Sequence, residues 1–442
     1  MSGQELGGNM EQSLIILYWV SAAVVLIRTL LLAIQAWENR RYARSCIASA
    51  GRKQTTGKAE VFVPCKGMDV ELAENLRALL EQDYDDFQIT FIVESDSDPA
   101  CETIQQVMVD SPGVPARLVV AGESVDSGQK VHNLRAATES LAEDVEILVF
   151  VDSDARPKPG WLRALVDSLG HPEFAAVTGY RWFIPQVATA ANWLLYGINS
   201  RLASLLGRDN HYMVWGGSWA IRREVFEKTG IREAWNRTLS DDLVVTRVLR
   251  GARKKVRFEP VCMAASPADG SLSQMFEFMR RQYMVGRFYA TRWWAMALVT
   301  ATVNVCFWGA SLVMICRGLA VGDSAVWMPA AFCSVLYTLG LIRETIIQST
   351  ALVYFPQKKE ELRLARAAAV WGGPIMSLVN WLGLAASAFG RSITWRGITY
   401  RMYRGGSVEI VGRDPQEPEK TRDRDRSIIS MPQEDKSYRK AG

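Results

Sequence analysis

The chain has 442 residues, 49% of them hydrophobic and 22% charged, with a formal net charge of +4. So small a charge, with no basic-aromatic pattern, argues against a nucleic acid as partner. The seven cysteines (46, 65, 101, 262, 306, 316, 333) are scattered without a C-x-x-C pair, so with three histidines they predict neither a zinc site nor a disulfide framework.

A mean hydropathy near zero hides a segregation. Apolar blocks lie towards the two ends, and a mixed region lies between them. The first block, Leu14 to Trp37, is long enough to cross a bilayer, for which about 20 apolar residues suffice. Arg28 interrupts it and is expected to face other helices or to snorkel. The block is too long, and the residues before it too acidic, for a cleaved signal peptide. Residues 1–38 therefore read as an N-terminal transmembrane helix. Arg40, Arg41, Arg44, Arg52 and Lys53 follow directly and predict that the next region is cytoplasmic.

From Ala59 the pattern changes. Ala59–Pro64 reads as a strand. Val70–Gln82 has helical spacing, with Leu72, Leu76, Leu79 and Leu80 on one side and Asp69 as a candidate N-cap. Phe87–Val93 is a second strand, and it ends in acids: Glu94, Asp96 and Asp98. Cys101–Val109 is helical and Ala116–Ala121 is a third strand. A loop from Gly122 to Gly128 leads to a helix opening at Gln129-Lys130. The fourth strand, Ile147–Val151, is a continuous apolar run that stops at Asp152-Ser153-Asp154. Alternate residues of an extended strand point the same way, so Asp152 and Asp154 can face one small volume. That volume lies at the carboxyl end of the strand, where open α/β sheets bind ligands. Two hard oxygen ligands there suit Mg²⁺ or Mn²⁺ bridging a diphosphate. Taken alone, the pair reads equally well as a solvated loop with helix-capping aspartates ahead of Pro157 and Pro159.

Four alternations of apolar strand and helix predict a doubly wound α/β sheet. No G-x-G-x-x-G follows the first strand and there is no Walker lysine motif, so dehydrogenase and P-loop readings lose their main support. Trp161–Leu169 is helical, Ala175–Phe183 a strand and Ala188–Leu206 a long amphipathic helix. In Val214–Ala220 the adjacent Gly216 and Gly217 leave room for a close approach, though a tight hairpin would use them as well. Glu224–Thr229 is a short helix closed by Gly230. Asp241 and Asp242 open a helix running to Arg250, and an N-cap with dipole pairing needs only one of them. Lys254–Phe258 is a further strand.

Ser271-Leu272-Ser273-Gln274 leads an amphipathic, basic and aromatic stretch to Trp293, expected to lie in a membrane interface. Apolar blocks follow at Trp294–Leu319, Ala325 to about Leu341, and Ala367–Phe389, the last interrupted by Gly372-Gly373-Pro374. Lys358, Lys359, Arg363 and Arg366 also predict a cytoplasmic side. Three spans would then leave the basic segment 391–404 outside, unless one block is re-entrant or interfacial; its charge favours a cytoplasmic tail. From Gly412 the chain is charged and poor in apolar residues, and disorder is expected.

Several short motifs fall in one order between about residues 60 and 290. They are Pro64-Cys65-Lys66-Gly67-Met68-Asp69, Asn75-Leu76, Gln82-Asp83-Tyr84, Asp98-Pro99-Ala100 and Lys130-Val131-His132-Asn133-Leu134. Asp152-Ser153-Asp154, Asp241-Asp242, Ser271-Leu272-Ser273-Gln274 and Arg281 complete the set. Together they resemble a membrane-bound family-2 type glycosyltransferase, most of all the ceramide glucosyltransferase family and its bacterial relatives.

The resemblance implies a GT-A type nucleotide-sugar-transferase domain over 59–273, facing the cytoplasm. An amphipathic interfacial helix would occupy 274–293, a C-terminal transmembrane region 294–390, and a basic segment with a disordered tail 391–442. The implied reaction is inverting, metal-dependent transfer of one hexose from a UDP-sugar, most simply UDP-glucose, to the hydroxyl of a membrane lipid such as ceramide or diacylglycerol. Lys66 and Gln282 would belong to the donor site, and Glu94, Asp96 and Asp98 would hold the uridine end. Lys130 would offset diphosphate charge. Asp152 and Asp154 would hold Mg²⁺ or Mn²⁺ and the diphosphate. Asp242, beside Asp241, would be the general base, Arg281 would stabilise the leaving diphosphate, and Trp215 to Ser218 would line the acceptor pocket. The family motif Gln/Arg-x-x-Arg-Trp becomes Phe278-Met279-Arg280-Arg281-Gln282 here, which leaves Arg280 and Arg287 as alternatives to Arg281. A processive synthase of the cellulose or hyaluronan type is the second reading, and a non-catalytic membrane scaffold the third.

Overall fold

The computed structural model describes residues 3–51, 55–208 and 213–414. Helix α1 (Gly3–Ala48) carries the first apolar block and runs on past it through the arginines. The chain then alternates: β1 (Ala59–Pro64), α2 (Leu72–Leu80), β2 (Phe87–Val93), α3 (Ala100–Asp110), β3 (Ala116–Val120), α4 (Gln129–Thr138), β4 (Ile147–Val151) and α5 (Trp161–Leu169). Next come β5 (Phe174–Pro185), α6 (Ala190–Ala203), β6 (Ser218–Arg222), the short α7 (Arg223–Lys228) and α8 (Ile231–Ala234), α9 (Asp241–Gly251) and β7 (Lys255–Ala268).

The seven strands form one sheet in the order β3-β2-β1-β4-β6-β5-β7. β1 pairs in parallel with β2 and β4, and β5 with β7, while β6 runs antiparallel between β4 and β5. The expected doubly wound sheet is present, with that one reversed strand. The arrangement gathers the carboxyl ends of β1, β2 and β4 on one edge, beside the entry to β6.

Near-continuous apolar strands are buried on both faces, as parallel sheets require. On one face Val61, Ile89, Phe91 and Val149 pack against Leu76 of α2, Ile104 of α3 and Leu165 of α5. On the other, Phe62, Phe150 and Trp219 stack across three strands at centroid separations of 5.2 and 4.2 Å, over Leu134 of α4 and Val245 of α9.

Three expectations need correction. Helix α2 starts at Leu72 after Glu71 in the left-handed region (φ 55°), so Asp69 is not its cap and is free for other partners. Strand β7 runs far beyond Phe258. Pro260 and Pro267 disguise it in the sequence, but β7 is an edge strand, where a missing N–H costs little. The amphipathic stretch is broken at Ala290 into α10 (Leu272–Tyr289) and α11 (Thr291–Val321), so residues 291–293 open the next helix.

Among the described residues three helical stretches are long and apolar enough to cross a membrane: Gln12–Ala48, Thr291–Val321 and Ser324–Tyr354. The third contains α12 (Trp327–Tyr354). The last apolar block is not one straight helix. It forms α13 (Arg363–Trp371) and α14 (Gly373–Ser387), bent by 82° at Gly372, as the glycine-proline interruption foreshadowed.

The basic segment after α14 is ordered. It forms a three-stranded antiparallel sheet of β8 (Ser392–Trp395), β9 (Ile398–Met402) and β10 (Val408–Arg413). Ile393, Ile398, Tyr400, Met402 and Val408 join the core on the α4–α9 face of the large sheet. Of the tail expected to be disordered, Gly412 and Arg413 lie in β10, and residues 415–442 fall outside the described residues.

Candidate functional site

The carboxyl ends of β1 and β4, the turn before β6 and the N-terminus of α9 converge. Strand β4 stops at Val151, so strand alternation does not place its two acids. Asp152 to Ala155 forms a turn closed by the Ala155 N–H donating to the Asp152 carbonyl (3.1 Å). Ser153, between the acids, donates through Oγ to Asp69 (2.6 Å). Asp154 is solvent-exposed on this turn; the protein around it and then Asp152 push its carboxyl up, while Arg181 and Arg396 pull it down.

Lys130, one residue into α4, sits at the centre. Its Nζ lies 2.7 Å from Asp152 and 3.2 Å from Asp241, and donates to the Gly216 carbonyl at 3.1 Å. Burial pulls the ammonium down, but Asp152, Asp241 and Asp242 outweigh it, so Lys130 is raised overall and stays charged. The approach uses the space a glycine leaves: a Cβ on Gly216 would come within 2.7 Å of Asp241 and 2.9 Å of Lys130, so those side chains would have to shift. The tight turn and the close approach anticipated for Gly216 and Gly217 are therefore one feature.

The two acids opening α9 differ. Asp241 is buried, and desolvation pushes its carboxyl up to about 6 against the pull of Lys130. Asp242 is half-buried. Its Oδ2 accepts from the Gly216 N–H (3.1 Å), and its Oδ1 from Ser240 Oγ (2.5 Å) and the Leu243 N–H (2.7 Å). Ser240, not an aspartate, is the N-cap, so capping does not account for both acids.

Arg281 of α10 lies 5.9 Å from the Trp395 ring and 5.6 Å from Phe278. Burial, then Arg181 and Arg396, lower its guanidinium. Trp395 of β8 thus places an indole ring beside Arg281, where position 282 itself is glutamine. Arg280 and Arg287, the alternatives, are engaged on backbone carbonyls of Phe389, Ser387 and Gly390 instead. Gln282 is exposed on α10.

The acids after β2 separate. Glu94 pairs with Lys66 and, at 3.4 Å, with Arg413. Asp98 is buried, accepting through Oδ1 from the N–H groups of Gly67 and Ala100 (2.9 Å each), and its Oδ2 has no hydrogen-bond partner. Asp96 is exposed beside Ser95 and meets none of the others. The aromatic wall at Trp215 has Tyr180 at 5.6 Å and Arg181 at 5.7 Å.

Among the described residues no group of three or more His, Cys, Asp and Glu side chains forms a metal cage. Asp152 and Asp154 fit an ion of a different kind. Mg²⁺ is held by one or two carboxylates together with substrate phosphates and water, and two crowded acids at a sheet edge suit that role.

The sequence matches Glycosyl transferase family 21 over residues 19–408. The chain belongs to this family. Ceramide glucosyltransferase 1 of Caenorhabditis elegans is 23% identical over 209 residues, 45% of this chain and 44% of the relative. Ceramide glucosyltransferase 3 of the same organism is 27% identical over 220 residues, 48% and 47% respectively. The chain spans less than half the length of these curated relatives. Among solved structures, the mannosyltransferase PcManGT from Pyrobaculum calidifontis in complex with GDP-Man and Mn²⁺ aligns with TM-score 0.41. It has 15% identity and covers 84% of this chain and 97% of that one.

In this family 21 chain, sequence reasoning missed Arg181, Arg396 and Arg413. Arg181 lies on β5, whose strand pattern hid a cleft-facing charge. Arg396 and Arg413 come from β8–β10, 327 and 319 residues after Asp69 and Glu94, the acids they meet, and no local spacing signals that return.

Proposed function

We propose that this protein transfers one hexose from a UDP-sugar, most simply UDP-glucose, to the hydroxyl of a membrane lipid such as ceramide or diacylglycerol, with inversion. The observation that carries the reading is the Lys130–Asp152–Asp241–Asp242 knot around Gly216. It lies on one sheet edge, next to an arginine group that includes Arg281 of α10.

Asp242 serves as general base. Its oxygens are oriented by Gly216 N–H and by Ser240, and it takes the proton of the acceptor hydroxyl as that oxygen attacks the anomeric carbon. The bond from that carbon to the diphosphate breaks, and UDP leaves. Lys130, held by Asp152 and Asp241, supports the diphosphate, and Arg281 stabilises its developing charge. Asp152 and Asp154 would hold Mg²⁺ or Mn²⁺, which supplies further neutralisation of the leaving group. Trp215 and Tyr180 line the acceptor side.

Residues 59–273 act as the catalytic domain on the cytoplasmic face, by the basic residues that follow the apolar stretch of α1. Helix α10 lies at the interface and brings the acceptor to the cleft edge. The relatives' names support a lipid acceptor, and the three long apolar helices support a multi-pass membrane protein.

The test is a transfer assay. Membranes carrying the protein are incubated with labelled UDP-glucose and Mg²⁺ or Mn²⁺, and extracted lipids are identified by mass. One hexose on one lipid class is the expected product, lost on chelation. Label in an insoluble polymer, or none in lipid with any UDP-sugar, contradicts the reading.

A further inference from the structure

We propose that the β8–β10 sheet is a wall of the donor site and that Arg396, at its tip, binds the donor diphosphate. The proposal rests on the nucleotide-sugar reading above and adds a residue to it.

Arg396 occupies an unfavourable position. The β8–β9 hairpin turns through two residues, Arg396 (φ 48°) and Gly397 (φ 73°), between the pair Trp395 and Ile398. Such turns favour asparagine and glycine, because both residues take positive φ. An arginine there is strained and is kept only where its surroundings hold it. Here its guanidinium donates to the Lys66 carbonyl and to Asp69 Oδ1 (2.7 Å).

The other oxygen of Asp69 accepts from Ser153, the residue between Asp152 and Asp154. The hairpin tip and the acidic turn are therefore joined through one carboxylate. Asp152 and Asp154 act on Arg396 electrostatically, and Arg396 acts on Arg281, which places all of them in one cleft. The Arg396 side chain remains about one-third exposed. Each terminal nitrogen of the guanidinium spends one N–H on Lys66 or Asp69 and keeps a second, and such a partly exposed group near Asp152 and Asp154 is suited to phosphate oxygens.

The sheet is also anchored. At the end of β10, Arg413 donates to the Ser124 carbonyl (2.8 Å) and Gln129 Oε1 (3.0 Å) and faces Glu94 at 3.4 Å. Tyr289 Oη donates to the Gly406 carbonyl (2.6 Å) and accepts from the Leu239 N–H (2.7 Å). The Gln129 N–H donates to Tyr400 Oη (3.2 Å). With its apolar face buried in the core, the sheet is a fixed wall.

Arg396→Gly tests this without endangering the fold, since glycine is the residue the backbone there prefers. Binding of UDP and of uridine to the full-length protein is measured by calorimetry with Mg²⁺ present, alongside the thermal midpoint. We expect Arg396→Gly to weaken UDP about tenfold or more, with uridine affinity and the midpoint held. Asp69→Asn, which leaves Arg396 in place and removes the negative charge that competes for it, should hold or tighten UDP binding. Unchanged UDP affinity in Arg396→Gly, equal loss of UDP and uridine, or loss in Asp69→Asn matching that in Arg396→Gly would show a structural clasp and overturn the proposal. A wild type that binds UDP no better than uridine would overturn the donor reading itself.

Discussion

Asp241 is buried in the cleft at a cost to its charged form. Burial raises its carboxyl from 3.8 to about 6, although Lys130 is 3.2 Å away. Between those values the folded chain keeps a proton that the unfolded chain releases. Stability contributed by this residue is therefore present at low pH and is lost as pH rises through the window. Asp241→Asn keeps the shape and removes the titration. In donor-free protein the thermal midpoint of the variant relative to wild type should climb from about pH 4 to about pH 7. A difference independent of pH would mean that Asp241 is not strained. The two neighbouring acids differ in burial. Asp241 is the buried counter-charge of Lys130, while Asp242 keeps one side towards the cleft.

Among the elements, α10 links the catalytic sheet to the apolar helices and carries Arg281. Its start is fixed by a complete capping box: Ser271 Oγ accepts from the Gln274 N–H (3.3 Å), and Gln274 Oε1 from the Ser271 N–H (2.8 Å). Ser271→Ala should cost about 1 kcal/mol, read as roughly fivefold faster amide exchange in the first turn of α10. Unchanged exchange there would mean that packing of Met275 and Met279 alone holds the helix end.

The strands and helices of the sheet were legible because their apolar runs follow the buried-strand pattern, as at Phe87–Val93 and Ile147–Val151, and because Gly230 punctuates the chain as expected. Strand β7 was only partly legible, since Pro260 and Pro267 are tolerated by an edge position that sequence does not reveal. The acids at the site were legible as pairs at strand and helix ends. Their partners were not. Gly216 could be seen as room for something, but its neighbours, Lys130 and Asp241, are set by tertiary structure. Likewise, a basic segment after the last apolar block gives no hint that Arg396 and Arg413 fold back onto Asp69 and Glu94.

For the molecule as a whole, the helices and the sheet form a single working arrangement. The α1 and α12 helices pack along one another, and Arg201 of α6 meets Glu344 of α12 at 2.7 Å, tying the sheet domain to the long apolar helices. The bend between α13 and α14 returns the chain towards α10, where Tyr283 hydrogen-bonds Asn380 (2.5 Å), and so delivers β8–β10 to the sheet edge that carries Asp69 and Glu94. On the proposed reading, a soluble donor and a lipid hydroxyl meet at this cleft, with Asp242 as the base.

The most direct measurement is the transfer assay run on Asp242→Asn beside wild type, with UDP binding measured on both. The account predicts labelled hexose on lipid from the wild type, no product above background from Asp242→Asn, and UDP affinity retained within about threefold, a difference of less than 1 kcal/mol. Turnover persisting in Asp242→Asn would contradict the assignment of the base and the mechanism built on it.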